Sequence, residues 1–246
     1  MEVAILTVGD EILSGDTENT NATWLARQLT ERGATARRIL TVPDDEETIA
    51  DYVRRWSEAF DAVVVTGGLG GTPDDLTVEA VADALDRDLV VQDSVRETIA
   101  EKARQFREKN PDLAEGYDFD IDLDAQAALP DGAEPLITDA SFAPGCAVEN
   151  VFVFPGFPEE LRAMFALVAE DFGGDAISET LTTPAPEGAL YEALEDIRGQ
   201  FDVTVGSYPV KGRDPGRVKV TGTDSEAVEA AVAWLREEIE VVDHTD

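Results

Sequence analysis

Thr66-Gly67-Gly68-Leu69-Gly70-Gly71-Thr72-Pro73-Asp74-Asp75-Leu76-Thr77 follows the apolar run Ala62-Val63-Val64-Val65 and leads into the helical pattern Val78 to Leu85. This reads as strand, glycine-rich turn, then helix, with the helix running from Asp74 to Leu85. At such a junction backbone N–H groups converge on an anion, and glycine lets a ligand approach the main chain closely. Asp74 and Asp75 at the helix entrance add the means to hold a divalent cation, magnesium above all, against phosphate oxygens. The turn therefore predicts a phosphorylated small molecule as ligand. It fits neither common nucleotide signature. A dinucleotide fingerprint begun at Gly68 needs glycine where the chain has Pro73, and a P-loop begun at Gly67 needs Gly-Lys where it has Thr72-Pro73. The plainer alternative is an ordinary strand-to-helix connection in which Pro73-Asp74 merely starts a helix.

Composition narrows the classes. The chain has 246 residues, 43% of them hydrophobic, enough for a buried core. Its 53 acids against 19 Lys plus Arg give a net charge of −34. Acids spread along the whole length resemble those of cytosolic proteins from salt-loving organisms, where salt screens self-repulsion. With no basic stripe, nucleic acid is not expected as a partner. Acidity also sets a background: chance alone places roughly 11 acid pairs side by side, so Asp74-Asp75 is no evidence by itself. Cys146 is the only cysteine and His244 the only histidine, which argues against disulfides, cysteine cages and histidine-based metal or acid–base sites. Met1-Glu2-Val3 enters a strand pattern directly, with no signal peptide, and no apolar run approaches membrane-spanning length. The expected setting is the cytoplasm.

Strands are predicted at Val3–Val8, Ala36–Val42 and Asp61–Thr66. Between and after them come helices at Ala22–Arg32, at Ile49–Phe60 beneath an Asp44 or Asp45 cap, and at Ser94–Lys109. Leu89–Gln92 reads as a short extended piece, and 110–132 as a helix-and-loop excursion. Pro135–Asp139 and Val151–Phe154 read as late strands, and Pro158–Phe172 as a closing helix. This alternation predicts an α/β, mostly parallel sheet covered on both faces. After Gly173-Gly174 the order changes to β-α-β-β-α: Ile177–Thr182, Glu187–Gly199, Asp202–Ser207, Arg217–Thr221 and Ser225–Ile239, with a turn at 211–216. That is the ferredoxin-like pattern. Domains are expected at 1–172 and 175–246. Trp24, Trp56 and Trp234 read as core, Cys146 as a small buried hydrophobe, and His244 as a frayed tail residue.

Two further glycine-bearing segments sit where the crevice of an open α/β sheet lies. Val8-Gly9-Asp10-Glu11-Ile12-Leu13-Ser14-Gly15-Asp16-Thr17 follows the first strand. Phe154-Pro155-Gly156-Phe157-Pro158-Glu159-Glu160 follows the last, with Ala143-Pro144-Gly145 before it. In this order and spacing the three segments resemble the molybdopterin-binding domain shared by molybdenum-cofactor biosynthesis proteins and the competence/damage-inducible protein A family. The resemblance spans about residues 1–170. The Val205-Gly206-Ser207-Tyr208-Pro209 segment extends it, looking like the small domain of the competence proteins and of the hydrolase half of eukaryotic FAD synthases.

The resemblance implies a three-layer αβα molybdopterin-binding fold followed by a small α+β domain. It implies that Gly67, Gly68, Leu69, Gly70 and Gly71 present amides to a phosphate. Asp75 would be metal ligand or catalytic acid, and Asp10 would join it at the metal. Gly9, Glu11, Ser14, Gly15, Thr66, Thr72, Pro144, Gly145, Pro155 and Gly156 would line the ligand. Asp74 reads as a helix cap. The implied activity is metal-dependent hydrolysis of a nucleotide pyrophosphate of the ADP-ribose or FAD type. The alternatives are molybdopterin binding or adenylation, with molybdopterin as a possible cofactor, and a non-catalytic nucleotide-binding module. A homo-oligomer is expected, and so is the absence of a membrane partner. Relatives carry proline where this chain has Gly71, which adds one N–H donor. The amidohydrolase domain of full-length bacterial relatives has no counterpart in the 246 residues, so nicotinamide mononucleotide deamidation is not expected.

Overall fold

The computed structural model describes residues 1–111, 122–209 and 215–242. In chain order the elements of the first unit are β1 Glu2–Val8, α1 Asp10–Leu13, α2 Thr20–Glu31, β2 Thr35–Val42, α3 Glu46–Ala59, β3 Ala62–Thr66 and α4 Thr77–Ala84. They continue as β4 Leu89–Val91, α5 Asp93–Lys109, α6 Leu123–Gln126, β5 Ala128–Pro130, β6 Glu134–Leu136, β7 Gly145–Val148, β8 Val151–Phe154 and α7 Pro158–Val168, closed by a 3₁₀ turn at Ala169–Phe172. Contacts divide the chain into one unit of Met1–Leu29 with Thr35–Phe172 and another of Thr30–Ala34 with Gly173–Asp246.

The main sheet of the first unit runs β2-β1-β3-β8-β7-β6. Its first four strands are parallel, β7 runs antiparallel to β8, and β6 runs antiparallel to β7. β1, β3 and β8 are apolar at nearly every position because both faces are covered. Alternate residues go to opposite layers. Leu6, Val8, Val63, Val65, Val151 and Val153 join a core with Ile49 and Val53 of α3, Ala80 and Val81 of α4, and Val95 and Ile99 of α5. Beyond the other face an aromatic group gathers: Phe165 of α7 lies 5.3 Å from Trp24 of α2, 6.2 Å from Phe154 and 5.3 Å from Phe172 between ring centroids. The mostly parallel sheet with flanking helices is the expected class.

Boundaries and details differ from expectation in places with clear causes. The glycine-bearing segment after β1 contains α1, and the helix expected from Ala22 starts at Thr20, with Asn19 Oδ1 accepting from Ala22 N at 3.1 Å. β7 was not expected: its Gly-Cys-Ala-Val is too short for a periodic signal, and the strand is defined by pairing with β8. Leu89–Val91 pairs antiparallel with β5 in a separate two-stranded sheet. Asp45 is the α3 cap, its carboxylate accepting from Thr48 N at 2.9 Å. Within 110–132, residues 112–121 lie outside the described residues, as do 211–214 of the expected turn, and His244. Cys146 is fully buried, and burial pushes its thiol up to about 12.

The second unit holds β9 Ile177–Thr183, a 3₁₀ turn at Glu187–Ala189, α8 Tyr191–Gln200, β10 Thr204–Tyr208, β11 Gly216–Gly222 and α9 Ser225–Glu238. Its antiparallel sheet is ordered β10-β11-β9. Val205, Val218 and Val220 pack with Ile197 of α8 and Val228, Ala231, Val232 and Leu235 of α9, making a small α+β unit with its own core. Asp224 caps α9 through Glu226 N at 3.0 Å. Trp24, Trp56 and Trp234 are each only partly buried.

Phe165 is 1% exposed and joins three other rings. Phe165→Ala is expected to cost about 3–5 kcal/mol of stability, read by equilibrium denaturation at molar KCl.

Candidate functional site

The parallel strands β1, β3 and β8 end side by side, and the segments leaving them form a cleft of about 1100 Å³. The turn after β3 is fastened to its neighbours. Thr66 Oγ1 donates to Pro155 O at 3.1 Å, Gly67 N to Phe154 O at 3.0 Å, and Thr77 Oγ1 to Gly67 O at 2.8 Å. Gly67 and Gly68 have φ of 102° and 65°, a region side chains rarely adopt. A Cβ on Gly67 would collide with the Val8 carbonyl oxygen, and one on Gly68 with Thr77 Oγ1. Glycine is required at both because the turn presses against the end of β1 and the start of α4.

Beyond this anchor the loop rises along the cleft. Gly70 O accepts from Gln126 Nε2 of α6 at 2.8 Å. Asp75 Oδ2 accepts from Thr72 N at 2.9 Å and Thr72 Oγ1 at 2.6 Å, while Asp75 N donates to Thr72 O at 3.0 Å. Asp75 thus ties its own loop. Asp74 is exposed and caps no helix: α4 begins at Thr77, with Leu76 before it. Gly67 was expected to offer its amide to a ligand, but that amide is bonded to Phe154 O. The N–H groups of Gly68, Leu69, Gly70 and Gly71 have no acceptor among the described residues, and all four residues line the cleft.

Of the residues expected at the site, Gly9, Glu11, Thr66, Gly67, Gly68, Leu69, Gly70, Gly71, Thr72, Asp75, Pro155 and Gly156 line this one cleft. Asp10, Ser14, Gly15, Pro144 and Gly145 do not. Asp10 gives its N–H to Asp44 Oδ2 at 2.8 Å, and Ser14 Oγ donates to Asp16 Oδ2 at 2.8 Å. Gly145 is buried in β7 against Val153 and Met164.

Several lining residues were not anticipated. Asn21 Nδ2 donates to Gly156 O at 2.6 Å, and Asn19 Nδ2 to Thr7 Oγ1 at 3.0 Å. Ser141 Oγ donates to Glu160 Oε2 at 2.7 Å, orienting an acid at the start of α7. Behind it, Lys102 Nζ donates to Thr138 O and Ser141 O at 2.7 Å, and burial lowers the pKa of this ammonium. Arg107, in the last turn of α5, is the one cationic side chain among the described lining residues. Nothing in the local sequence distinguishes these positions; only the folded chain gathers them.

Asp44 sits where the acids crowd. Desolvation first, then the charges of Asp10, Glu11 and Asp74, raise its pKa above 3.8, against the opposing bond from Asp10 N–H. Among the described residues no group of three or more His, Cys, Asp or Glu side chains is placed to hold a metal ion alone. No helix among them is long and apolar enough to cross a membrane.

Residues 4–173 match the family model described as a probable molybdopterin binding domain, and residues 175–244 that of the FAD synthase middle domain. A protein of Archaeoglobus fulgidus is 38% identical over 239 residues, covering 96% of this chain and 97% of that one. Protein TK1472 of Thermococcus kodakarensis is 42% identical over 229 residues, covering 85% and 86%. The crystal structure of the protein CinA with unknown function from Thermoplasma acidophilum aligns with a TM-score of 0.60 at 33% identity, over 70% of this chain and 97% of that chain.

Two outcomes follow from the anchoring and the crowding. Thr77 is fully buried, so Thr77→Val leaves Gly67 O unpaired and is expected to cost about 1–3 kcal/mol in denaturant unfolding. Asp44 is neutral in folded and unfolded chains at acid pH. As pH rises above 3.8 the unfolded chain ionises first, and stability falls until the folded carboxyl has also ionised. Asp44→Asn should therefore raise the melting temperature at about pH 7 and leave it unchanged at about pH 3, as differential scanning calorimetry of both proteins would show.

Proposed function

Because the chain belongs to the family of probable molybdopterin binding domains, we propose that its cleft binds a phosphorylated nucleotide- or pterin-type ligand and hydrolyses a nucleotide pyrophosphate of the ADP-ribose or FAD type. The observation that carries this is the run of N–H groups on Gly68, Leu69, Gly70 and Gly71 that line the cleft with no acceptor among the described residues. Such a run receives phosphate oxygens without needing lysine or arginine. The match of 175–244 to the FAD synthase middle domain supports a ligand with a nucleoside diphosphate.

The acids fit a magnesium ion that arrives with its ligand. Magnesium is ordinarily held by one or two carboxylates plus substrate phosphates, so a complete protein cage is not required. Desolvation first, and then the charges of Asp10, Glu11 and Asp74, raise the Asp44 pKa, and a cation would offset the second of these. Glu11 and Asp74, which both line the cleft, would hold it together with the ligand's phosphates. When bound, the ion would neutralise phosphate charge and lower the pKa of a water molecule. Asp75 has both Thr72 bonds to satisfy, which supports a positioning role: it keeps the loop amides turned to the phosphate. Asn21 holds Gly156, and so the opposite wall, in place.

The test is incubation with ADP-ribose or FAD and Mg²⁺ or Mn²⁺ at molar KCl, with AMP measured. AMP release is expected, and Glu11→Gln or Asp74→Asn should lower kcat/KM by on the order of 10²-fold or more. A Cβ on Gly70 would strike the Asp75 carboxylate, so Gly70→Ala should weaken binding and turnover together. No AMP above the Glu11→Gln background with any of these metals would overturn the hydrolysis. Stabilisation by molybdopterin and not by ADP-ribose in a thermal-shift assay would instead favour the pterin reading, which the family match also supports.

A further inference from the structure

Phe157 lines the cleft and is 73% exposed, yet it stands on a firmly held segment. Gly67 N donates to Phe154 O at 3.0 Å, Thr66 Oγ1 to Pro155 O at 3.1 Å, and Asn21 Nδ2 to Gly156 O at 2.6 Å. Pro158 then restricts Phe157 to the extended backbone it has, with φ of −71° and ψ of 125°. Three residues on, Glu160 lines the same cleft and is half-buried. Phe157 and Glu160 occupy the N-cap and third positions of α7, which the start of a helix brings side by side. Glu160 is fixed from behind. Lys102 Nζ of α5 donates to Ser141 O at 2.7 Å, and the buried Ser141 donates its Oγ to Glu160 Oε2 at 2.7 Å. Glu160 Oε1 has no donor among the described residues. Phe142 and Ala143, next to Ser141 in the chain, and Ala103, next to Lys102, also line the cleft. At about 1100 Å³ the cleft has the size that holds a whole drug-sized ligand and not a phosphate group alone.

We propose that Phe157 and Glu160 form a subsite for a planar heteroaromatic ring that presents an N–H donor at its edge. The ring stacks on the Phe157 side chain, and its N–H donates to Glu160 Oε1. A carboxylate only accepts, so the pair selects rings by their donor and disfavours edges that offer acceptors alone. The held backbone under Phe157 and the buttressed carboxylate of Glu160 are ordered before the ligand arrives, so little freedom is lost on binding. This deepens the proposed function and rests on it for the phosphate end of the ligand, which the loop at Gly68–Gly71 would take. Adenine with its exocyclic amino group and flavin with its ring imide share the required chemistry.

Adenosine and riboflavin carry these rings without phosphate, so they read the subsite apart from the loop. Purine riboside and 3-methylriboflavin are their counterparts without the edge N–H. Ligand-observed NMR titration of the full chain at molar KCl should show adenosine, riboflavin or both binding about tenfold or more tightly than the counterpart. The ring that responds identifies which source the subsite takes. Phe157→Ala should weaken that binding about fivefold or more, with the melting temperature unchanged because the side chain is exposed. Glu160→Gln should erase the preference over the counterpart. Pyrophosphate with Mg²⁺, titrated into the same wild-type chain, reads the loop by itself. Pyrophosphate bound without either ring overturns the subsite and keeps the phosphate reading; a ring bound without pyrophosphate does the reverse. The subsite is also overturned if the counterparts bind equally well, if Phe157→Ala leaves the affinity unchanged, or if Glu160→Gln leaves the preference unchanged.

Discussion

The turn at Gly67-Gly68 is the constraint on which the first unit depends. It lies against the carboxyl end of β1, bonds to the end of β8, and receives the first residue of α4 from above. Because β1, β3 and β8 are parallel neighbours, one turn can touch all of these at once. That contact fixes where the floor of the cleft lies and how the next loop leaves it. It also accounts for which amides remain unpaired. Gly67 uses its N–H in the anchor, and those of Gly68 to Gly71 have no acceptor among the described residues.

The proposed anion recognition requires a particular solution on so acidic a chain. Lysine and arginine are scarce, and among the described residues lining the cleft Arg107 alone is cationic. Main-chain amides supply positive potential that does not depend on side-chain composition. The same loop is held by side chains whose job is geometric: Thr72 with Asp75, Gln126 with Gly70, Thr77 with Gly67. Positive potential from the backbone and negative charge from Glu11, Asp44 and Asp74 therefore meet in one cleft. That pairing suits a phosphate accompanied by a cation better than a bare phosphate.

Much of this was legible before any coordinates, because the informative parts are local. Apolar runs such as Ala62–Val65 and glycine clusters such as Gly67–Gly71 declare strands and turns through the backbone chemistry of a few adjacent residues. The end of β3 belongs to the same class, as does the α3 cap, narrowed by sequence to Asp44 or Asp45 and fixed at Asp45 by its bond to Thr48 N. What could not be read comes from distant pairing. β7 exists because β8 lies beside it, and Gly145 is a packing residue because Met164 and Val153 fill the space around it. Asp74 and Asp75 illustrate the limit within the decisive segment itself. Adjacent identical residues carry no sign of which one closes the loop onto Thr72 and which one faces the solvent. Asn21, Ser141 with Glu160, and Lys102 are gathered from positions scattered across the first unit, so no spacing rule announces them.

The mixture of amide donors and carboxylates has a consequence for how affinity varies with salt. Sites that hold phosphate through ammonium and guanidinium groups weaken as salt rises, because the attraction between full charges is screened. On the proposed reading the attractive partners would be mainly short-range dipoles, while the carboxylates that outnumber Arg107 around them, and the net charge of the chain, would repel an anion. Screening therefore removes the opposing force and spares the favourable one. On that reading the slope of ligand affinity against salt concentration would acquire the opposite sign, and a phosphate at Gly68–Gly71 would be held more firmly as the solution becomes more concentrated.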